Sequence, residues 1–215
     1  MPDLLYPDLD TYRREVFAPE DDLLKGIMPA AVAQGLPRIS VSPESGKTLY
    51  LLAKLIRARK ILEFGALAGY SGIWLARALP PEGRFITLEI NPRHAEVTRA
   101  NYKAAGLADR TEVRVGPAVD HLPAVAREAP FDLVFIDADK ESYPVYLDFA
   151  LGHTRRGGLI IADNANGHGR VHEALKDGDG PRGIQDYNER VARHPRLVSN
   201  IIPVGGWLAV SLVLE

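Results

Sequence analysis

The stretch of sequence that decides the fold reads Lys60-Ile61-Leu62-Glu63-Phe64-Gly65-Ala66-Leu67-Ala68-Gly69-Tyr70-Ser71. Its first five residues form a mostly apolar run that is typical of a buried strand, and a helical pattern follows over residues 71–79. Gly65 lets the backbone turn sharply after the strand, and Gly69 lets a ligand come close to the start of the helix. A strand, a glycine-rich turn and a helix in this order predict the first unit of an α/β fold.

The same alternation continues along the chain. The predicted strands are residues 60–64, 84–88, 111–115, 133–136 and 159–162, and the predicted helices between them are residues 71–79, 92–105, 118–128 and 143–153. Such alternation builds a parallel sheet with helices on both faces. We therefore predict a doubly wound, Rossmann-like α/β fold.

The two ends of the chain complete this fold. Helical patterns precede the first strand, the clearest near residues 19–34, and Ser42 is suited to cap a further helix. After a helix near residues 184–194, two strand-like runs at 197–204 and 207–214 are separated only by Gly205-Gly206. This link predicts a tight hairpin, so the last strand should be antiparallel to its neighbour. We predict one domain over residues 1–215, with N-terminal helices over 1–58 and the α/β core over 59–215.

Composition limits the possible functions. The 215 residues are 46% hydrophobic and 25% charged with a net charge of -2, which is ordinary for a soluble domain and makes nucleic-acid binding unlikely. The chain has no cysteine, so any metal must be held by oxygen or histidine ligands. The sequence shows neither a signal peptide nor an apolar run of the roughly 20 residues that span a bilayer. We expect a cytoplasmic protein without a membrane partner.

The glycine-rich turn predicts a cofactor other than a dinucleotide. Leu67 and Tyr70 stand where the dinucleotide fingerprint requires glycines, and the acid Glu63 would repel a pyrophosphate. S-adenosylmethionine carries a sulfonium and an amino group that tolerate this acid, and Ser71 at the helix start can hold its carboxylate. A ligand-free strand–helix turn is the alternative that the glycines alone leave open.

Two later strand ends extend the predicted cofactor site. Glu89 ends the second strand 24 residues after Gly65, where an acid accepts both ribose hydroxyls in nucleotide-binding folds. Gly116-Pro117-Ala118 ends the third strand with small residues that leave room for an adenine ring. The residues predicted from these patterns to bind the cofactor are Glu63, Gly65, Ala66, Gly69, Tyr70, Ser71, Glu89 and Ala118.

Oxygen-bearing side chains follow the fourth and fifth strands. The fourth strand ends in Asp137-Ala138-Asp139-Lys140 and the fifth in Asp163-Asn164. If these strands are neighbours, the three oxygen donors Asp137, Asp163 and Asn164 can converge on one Mg²⁺, or on Mn²⁺ as a near substitute. Surface carboxylates or helix caps are the alternative, which we retain for Asp139.

The ligand number of Mg²⁺ indicates the acceptor. A six-coordinate ion with three protein ligands leaves three positions open, which two adjacent substrate oxygens and a water would fill. We therefore predict a small aromatic substrate with a vicinal diol. Lys140, one helical turn past Asp137, is predicted to take the proton from the reacting hydroxyl.

Three other residues attract attention. His168 and His172 are four residues apart, but no third metal ligand is evident, so a substrate contact or a surface position is favoured. Trp207 follows the hairpin link. We expect its side chain in the core or at a strand end, and the alternative is that it lines the substrate pocket.

These residues resemble the metal-dependent class I O-methyltransferases, the family that contains catechol and caffeoyl-CoA O-methyltransferases, and most closely the bacterial relatives of the latter. The resemblance runs from about Ser40 to the C-terminus. Its most specific motifs are residues 61–65 with 69–71, residues 135–140 and residues 157–164. The sequence departs from the family at Gly206-Trp207, where an Asp-Gly pair is usual.

The resemblance carries further expectations. It implies a seven-stranded sheet with an antiparallel last strand, a homodimer, and a hydroxylated aromatic substrate of the catechol or hydroxycinnamoyl type. Val41 matches a position that contacts the cofactor, and Asp137 is expected at the cofactor as well as at the metal. The resemblance also implies metal ligation by Asp137, Asp163 and Asn164, a base at Lys140 and ribose binding by Glu89.

Three alternatives remain open. A tRNA hydroxyuridine O-methyltransferase would use the same site but would need a basic track on its rim. An NAD-type oxidoreductase is disfavoured by the glycine spacing and the terminal hairpin. A non-catalytic binding protein would be expected to lack Lys140 or a metal ligand, and this sequence has both.

Overall fold

The computed structural model describes residues 5–214. Three helices precede the first strand, namely α1 (Leu9–Phe17), α2 (Asp22–Ala33) and α3 (Pro43–Leu55). Polar side chains fix where these helices begin. Oδ1 of Asp21 accepts a hydrogen bond from the Leu24 amide at 2.9 Å, and Oγ of Ser42 accepts one from the Ser45 amide at 3.1 Å, as predicted for that cap.

Seven strands form one sheet. They are β1 (Lys60–Phe64), β2 (Arg84–Glu89), β3 (Thr111–Val115), β4 (Phe131–Ile136), β5 (Thr154–Ala162), β6 (Leu197–Ile202) and β7 (Leu208–Val213). Their order is β3-β2-β1-β4-β5-β7-β6, with β1 to β5 parallel and β7 antiparallel to both of its neighbours. The predicted fold class is confirmed, and β4 and β5 are neighbours as the metal hypothesis requires.

Helices cover both faces of the sheet. The remaining helices are α4 (Tyr70–Ala78), α5 (Pro92–Ala104), α6 (Ala118–Ala126), α7 (Tyr143–His153) and α8 (Arg182–Arg193). Ile61 of β1 packs into one core with α2 to α5, and its neighbour Leu62 packs into a second core with α6 to α8. Because successive strand residues point to opposite faces and both faces are buried, apolar residues occupy both faces of the central strands, with polar exceptions such as Glu63 in β1 and Thr87 in β2.

The structure corrects the predicted hairpin. The link is residues 203–207 rather than Gly205-Gly206 alone, because β6 ends at Ile202 and β7 begins at Leu208. Positive φ occurs at Gly205 (+53°) and Trp207 (+69°). The carbonyls of Gly206 and Trp207 accept hydrogen bonds from the amides of Asn166 and Ala165, at 3.2 and 3.0 Å, so this backbone pairs with the loop after β5.

Strand β5 also begins earlier than predicted, at Thr154 instead of residue 159. Thr154 pairs with Phe131, and the register shifts before Leu133 pairs with Leu159. Arginines and glycines fill residues 155–158, so no apolar run reveals this part of the strand. The division into N-terminal helices and an α/β core stays a prediction, and residues 1–4 and 215 of the predicted domain lie outside the described residues.

Candidate active site

A cavity of about 1050 Å³ lies at the carboxyl ends of the parallel strands. It is bounded by the loop after β1, the ends of β2, β4 and β5, the start of α6, residues 37–43, and Gly205 and Gly206. The predicted site residues that line it are Val41, Gly65, Ala66, Tyr70, Ser71, Glu89, Ala118, Asp137, Lys140, Asp163 and Asn164. The predicted cofactor loop and the predicted metal ligands therefore share one cavity.

The glycine-rich turn gives this cavity its floor. Gly65 has φ +90° and Gly69 has φ +80°, a region that residues with side chains rarely adopt. A Cβ on Gly65 would collide with the backbone carbonyl of Asp137, so the turn can pack against the end of β4 only as glycine. Gly69 caps α4 without a side chain, which leaves the amides of Tyr70 and Ser71 suited to an anionic group.

Glu89 supports the same turn. Its Oε2 accepts hydrogen bonds from the amides of Ala66 and Leu67 at 3.1 and 2.8 Å, and its Oε1 accepts one from the Asn91 amide at 2.9 Å. His94 Nδ1 lies 3.5 Å from Oε1. The carboxylate still lines the cavity, so its predicted contact with a ribose stays a prediction, and its role in holding the turn was not foreseen.

Glu63 and Gly69 do not line the cavity. The Glu63 side chain is fully buried, and its Oε1 accepts a hydrogen bond from the Ser71 hydroxyl at 2.6 Å. Burial, opposed by that hydrogen bond, raises the pKa of the Glu63 carboxyl to about 8. Glu63 therefore lies behind Ser71, which is the side chain of this pair that reaches the cavity.

The ends of β4 and β5 bring the predicted metal ligands together. The Asp137 amide donates to the Phe64 carbonyl at 2.9 Å, and the Asp163 amide donates to the Ile136 carbonyl at 3.0 Å. Both aspartates thus directly follow neighbouring strands and lie at the same edge of the sheet. Nζ of Lys140 donates to Oδ1 of Asp137 at 2.8 Å, which places the predicted base against a predicted metal ligand.

Asp163 has surroundings that would suit a bound cation. Its carboxylate is 4% exposed, and Oδ2 accepts a hydrogen bond from Nδ2 of Asn164 at 2.7 Å. Its buried Oδ1 has no hydrogen-bond partner within residues 5–214. Burial and then the neighbouring Asp137 carboxylate raise the pKa of Asp163 to about 7. A buried, unpartnered carboxylate oxygen of this kind is suited to a hard cation.

The third predicted ligand is an amide. In the described part of the chain, no three His, Cys, Asp or Glu side chains form a cluster that could hold a metal ion. The predicted set consists of two carboxylates and Asn164, so it depends on that amide oxygen. Asn164 has φ +59°, a conformation that asparagine tolerates better than most residues and that often marks functional sites.

Tyr143 is a site residue that the sequence did not reveal. Its buried hydroxyl accepts a hydrogen bond from Nζ of Lys140 at 2.7 Å. The same hydroxyl lies 3.2 Å from the Ile136 carbonyl and 3.1 Å from the Asp163 carbonyl, to which it can donate. It therefore joins Lys140 to the ends of both strands. The available signal was an aromatic residue one helical turn past Lys140, but many core tyrosines share that spacing.

The other residues considered from the sequence differ in whether they line the cavity. His168 lines the cavity with φ +56°, whereas His172 is exposed, and the two share no helical face. Asp139 is exposed and accepts hydrogen bonds from the Ser142 amide and the Tyr146 hydroxyl, at 3.1 and 2.6 Å, as a helix cap would. Trp207 directly precedes β7, which agrees with the strand-end position, and it is not among the residues that line the described cavity.

Comparison with known families decides the reaction class. A family model described as O-methyltransferase matches residues 14–213, which is nearly the whole chain. The chain belongs to the O-methyltransferase family. This confirms the resemblance read from the motifs, and it makes the oxidoreductase alternative wrong.

Individual relatives are similar to this O-methyltransferase over almost the full length of both chains. A catechol O-methyltransferase of Mycobacterium tuberculosis is 44% identical over 211 residues, covering 97% of this chain and 95% of the relative. A catechol O-methyltransferase of Niastella koreensis is 41% identical over 204 residues, covering 94% and 92%. The structure of a Bacillus cereus O-methyltransferase in complex with SAH superposes with a TM-score of 0.89 at 40% identity, covering 95% and 96%.

Proposed function

We propose that this O-methyltransferase transfers a methyl group from S-adenosylmethionine to one hydroxyl of a vicinal diol on a small aromatic, with Mg²⁺ or Mn²⁺ bound by Asp137, Asp163 and Asn164. The observation that carries the proposal is the unpartnered Oδ1 of Asp163, buried beside Asp137 in the cavity that the glycine-rich turn also lines. The names of the catechol O-methyltransferase relatives and the SAH-bound relative support the acceptor and the donor.

Different side chains of the cavity would have different roles in this reaction. Ser71 and the uncapped amides at the start of α4 would hold the carboxylate of the methyl donor, and Glu89 would accept from its ribose hydroxyls. The methyl donor supplies an electrophilic carbon on a sulfonium, so a C–O bond forms as the C–S bond breaks. A divalent cation would supply the charge that holds the acceptor and favours loss of its proton.

Lys140 is the group placed to accept that proton. Nζ makes two hydrogen bonds, to Asp137 at 2.8 Å and to the Tyr143 hydroxyl at 2.7 Å. In its neutral form the amine has two N–H donors for these contacts and one lone pair, which can accept the proton of the reacting hydroxyl. Because both partners are anchored on strand ends, the nitrogen is held in place while the proton moves.

The proposal is tested by transfer of a labelled methyl group to catechols, hydroxycinnamoyl thioesters and tRNA, with and without a chelator. We expect turnover on at least one vicinal-diol aromatic, loss of turnover with chelator, and recovery when Mg²⁺ or Mn²⁺ is added back. Lys140→Ala should lower kcat by at least about a hundredfold, whereas Lys103→Ala, at an exposed lysine of α5, should not. Turnover that a chelator leaves unchanged would remove the metal from the mechanism.

The tRNA alternative differs in its acceptor. Methylation of tRNA with strong salt dependence, and none on small diols, would favour it over the proposal. The net charge of -2 and the similarity to catechol O-methyltransferases favour the small aromatic.

Compartment and assembly belong to the same proposal. No helix within the described residues is long and apolar enough to cross a membrane. We propose that the protein is cytoplasmic and forms a homodimer. The support for a dimer is apolar exposure on the N-terminal helices, where Leu9, Phe17 and Leu55 are 84%, 63% and 68% exposed. Light scattering at micromolar concentration should give twice the chain mass of 23.6 kDa, and a monomer mass would contradict the proposal.

A further inference from the structure

Most charged side chains that line the cavity already have partners. Glu89 accepts from three backbone amides, and Asp139 accepts from the Ser142 amide and the Tyr146 hydroxyl. Asp137 pairs with Lys140, and Asp163 accepts from Asn164. Among the described residues, the charged side chains of the lining thus bond to other parts of the chain, with one exception.

The exception is Arg38. It lines the cavity, yet its guanidinium makes no hydrogen bond or ion pair with any other part of the chain that the structure describes. Arg38 is the middle residue of a three-residue turn that the Ile39 amide closes onto the Pro37 carbonyl at 2.9 Å. This turn fixes the direction in which the arginine leaves the backbone. Arg38 is exposed, so a permanent cation at the edge of the cavity is available to a ligand and has no counter-charge from the described chain.

The segment that carries Arg38 reaches the predicted acceptor end of the cavity at Ser42. A Cβ built on Gly205 would lie 3.1 Å from Oγ of Ser42, four residues after Arg38, so the segment packs on the link between β6 and β7. The neighbouring Gly206 packs directly against Asn164, a predicted metal ligand. Ser42 therefore lies beside the part of the cavity that contains Asn164, and Arg38 lies four residues before it on the same segment of the lining.

We propose that Arg38 binds an anionic substituent of the methyl acceptor, so that the preferred acceptor is a vicinal-diol aromatic acid whose carboxylate points to the cavity mouth. This inference rests on the proposed function and narrows its substrate. A guanidinium presents paired donors that match a carboxylate, and an aromatic ring spans the distance between a reacting diol and an acid group at its far side. Ile39 and Met28, which also line the cavity, suit the ring.

The methyl donor has a carboxylate of its own, and the test must separate the two. The donor's carboxylate has the amides at the start of α4 and Ser71 available to it. Arg38 should therefore affect the acceptor and leave the affinity for S-adenosylmethionine unchanged. A specificity role also differs from a structural one, because it depends on the charge of the acceptor and on salt.

The experiment compares 3,4-dihydroxybenzoate with its neutral methyl ester as acceptors for the wild type, Arg38→Gln, Arg38→Lys and the control Arg127→Gln. Arg127 is exposed and lies outside the cavity lining. We expect Arg38→Gln to lower kcat/KM for the acid by about tenfold, mainly through KM, with little change for the ester. Arg38→Lys should restore part of the loss, and Arg127→Gln should resemble the wild type.

Salt and donor binding complete the test. The KM of the wild type for the acid should rise with ionic strength, and this rise should be absent for the ester and for Arg38→Gln. Equal effects of Arg38→Gln on acid and ester, or weakened binding of S-adenosylmethionine measured by calorimetry, would overturn the assignment while leaving methyl transfer intact. Failure of the wild type to methylate any acceptor would instead overturn the proposed function, and the assignment of Arg38 with it.

Discussion

At the scale of single residues, Tyr143 joins the predicted base to both strand ends. We expect Tyr143→Phe to lower kcat by about tenfold and the free energy of unfolding by about 1 kcal/mol, because Lys140 and two strand-end carbonyls lose a hydrogen-bond partner. Steady-state kinetics and urea denaturation measure both effects. The control is Tyr187→Phe, since the buried Tyr187 hydroxyl has no partner among residues 5–214 and its ring packs 5.8 Å from that of Tyr143. If both variants have wild-type kcat, Tyr143 does not position Lys140.

Glu63 should make stability depend on pH. Its pKa is about 8 in the folded protein against an ordinary value of 4.5, so the folded state holds a proton that the unfolded state releases. The contribution of this proton to the free energy of unfolding is therefore full below pH 4.5 and is lost as the pH rises towards 8. Glu63→Gln keeps an acceptor for Ser71 and should flatten this slope between pH 6 and pH 9 in urea denaturation. The control Glu96→Gln, at an exposed position, should retain the slope; an unchanged slope in Glu63→Gln would contradict the account.

What the sequence predicts at this scale depends on where a residue stands along the chain. The positions of Asp137 and Asp163 at one edge of the sheet were predictable because each directly follows a parallel strand, and Asn164 comes one residue later. Their binding of a metal stays a prediction. Tyr143 and Arg38 reach the site from a helix start and from a loop, and the local sequence pattern does not determine where these two segments lie in space. Glu63 illustrates the reverse case, because its motif is clear but its contact with the cavity passes through Ser71.

At the scale of elements, the link between β6 and β7 supports the predicted metal site. A Cβ on Gly206 would lie 3.2 Å from both Cα and Oδ1 of Asn164, which is tighter than most real contacts. We expect Gly206→Ala to raise the Mg²⁺ concentration for half-maximal activity several-fold, because Asn164 must shift. Metal titration of methyl transfer measures this. Gly180→Ala, where an added Cβ meets nothing within 4 Å, is the control, and equal Mg²⁺ requirements in the two variants would contradict the coupling.

The same link shows why element boundaries were harder to predict than element types. The type of every strand in the parallel core was predicted, because burial on both faces enriches these strands in apolar residues. The hairpin was predicted too short, since Gly205-Gly206 suits a two-residue turn while the backbone instead bonds to Ala165 and Asn166. Long-range backbone pairing of this kind has no local sequence pattern.

At the scale of the whole molecule, the topology makes one cavity serve both predicted ligands. The strand order changes direction between β1 and β4, and ligands of open α/β sheets bind at such a point. The turn after β1 and the acidic ends of β4 and β5 therefore meet at a single 1050 Å³ cavity. This placement follows from the predicted alternation of strands and helices, whereas the mouth, built by residues 37–42 and the β6–β7 link, does not.

The central claim is that Asp137, Asp163 and Asn164 bind one divalent cation beside the methyl donor. A crystal structure with Mn²⁺ and S-adenosylhomocysteine tests it most directly, because anomalous scattering locates the metal independently of the protein atoms. We predict one strong anomalous peak about 2.1 Å from Oδ1 of Asp163, with Asp137 and Asn164 as further ligands and the cofactor in the same cavity. A peak at another place, or no peak in this cavity with the cofactor bound, would contradict the account.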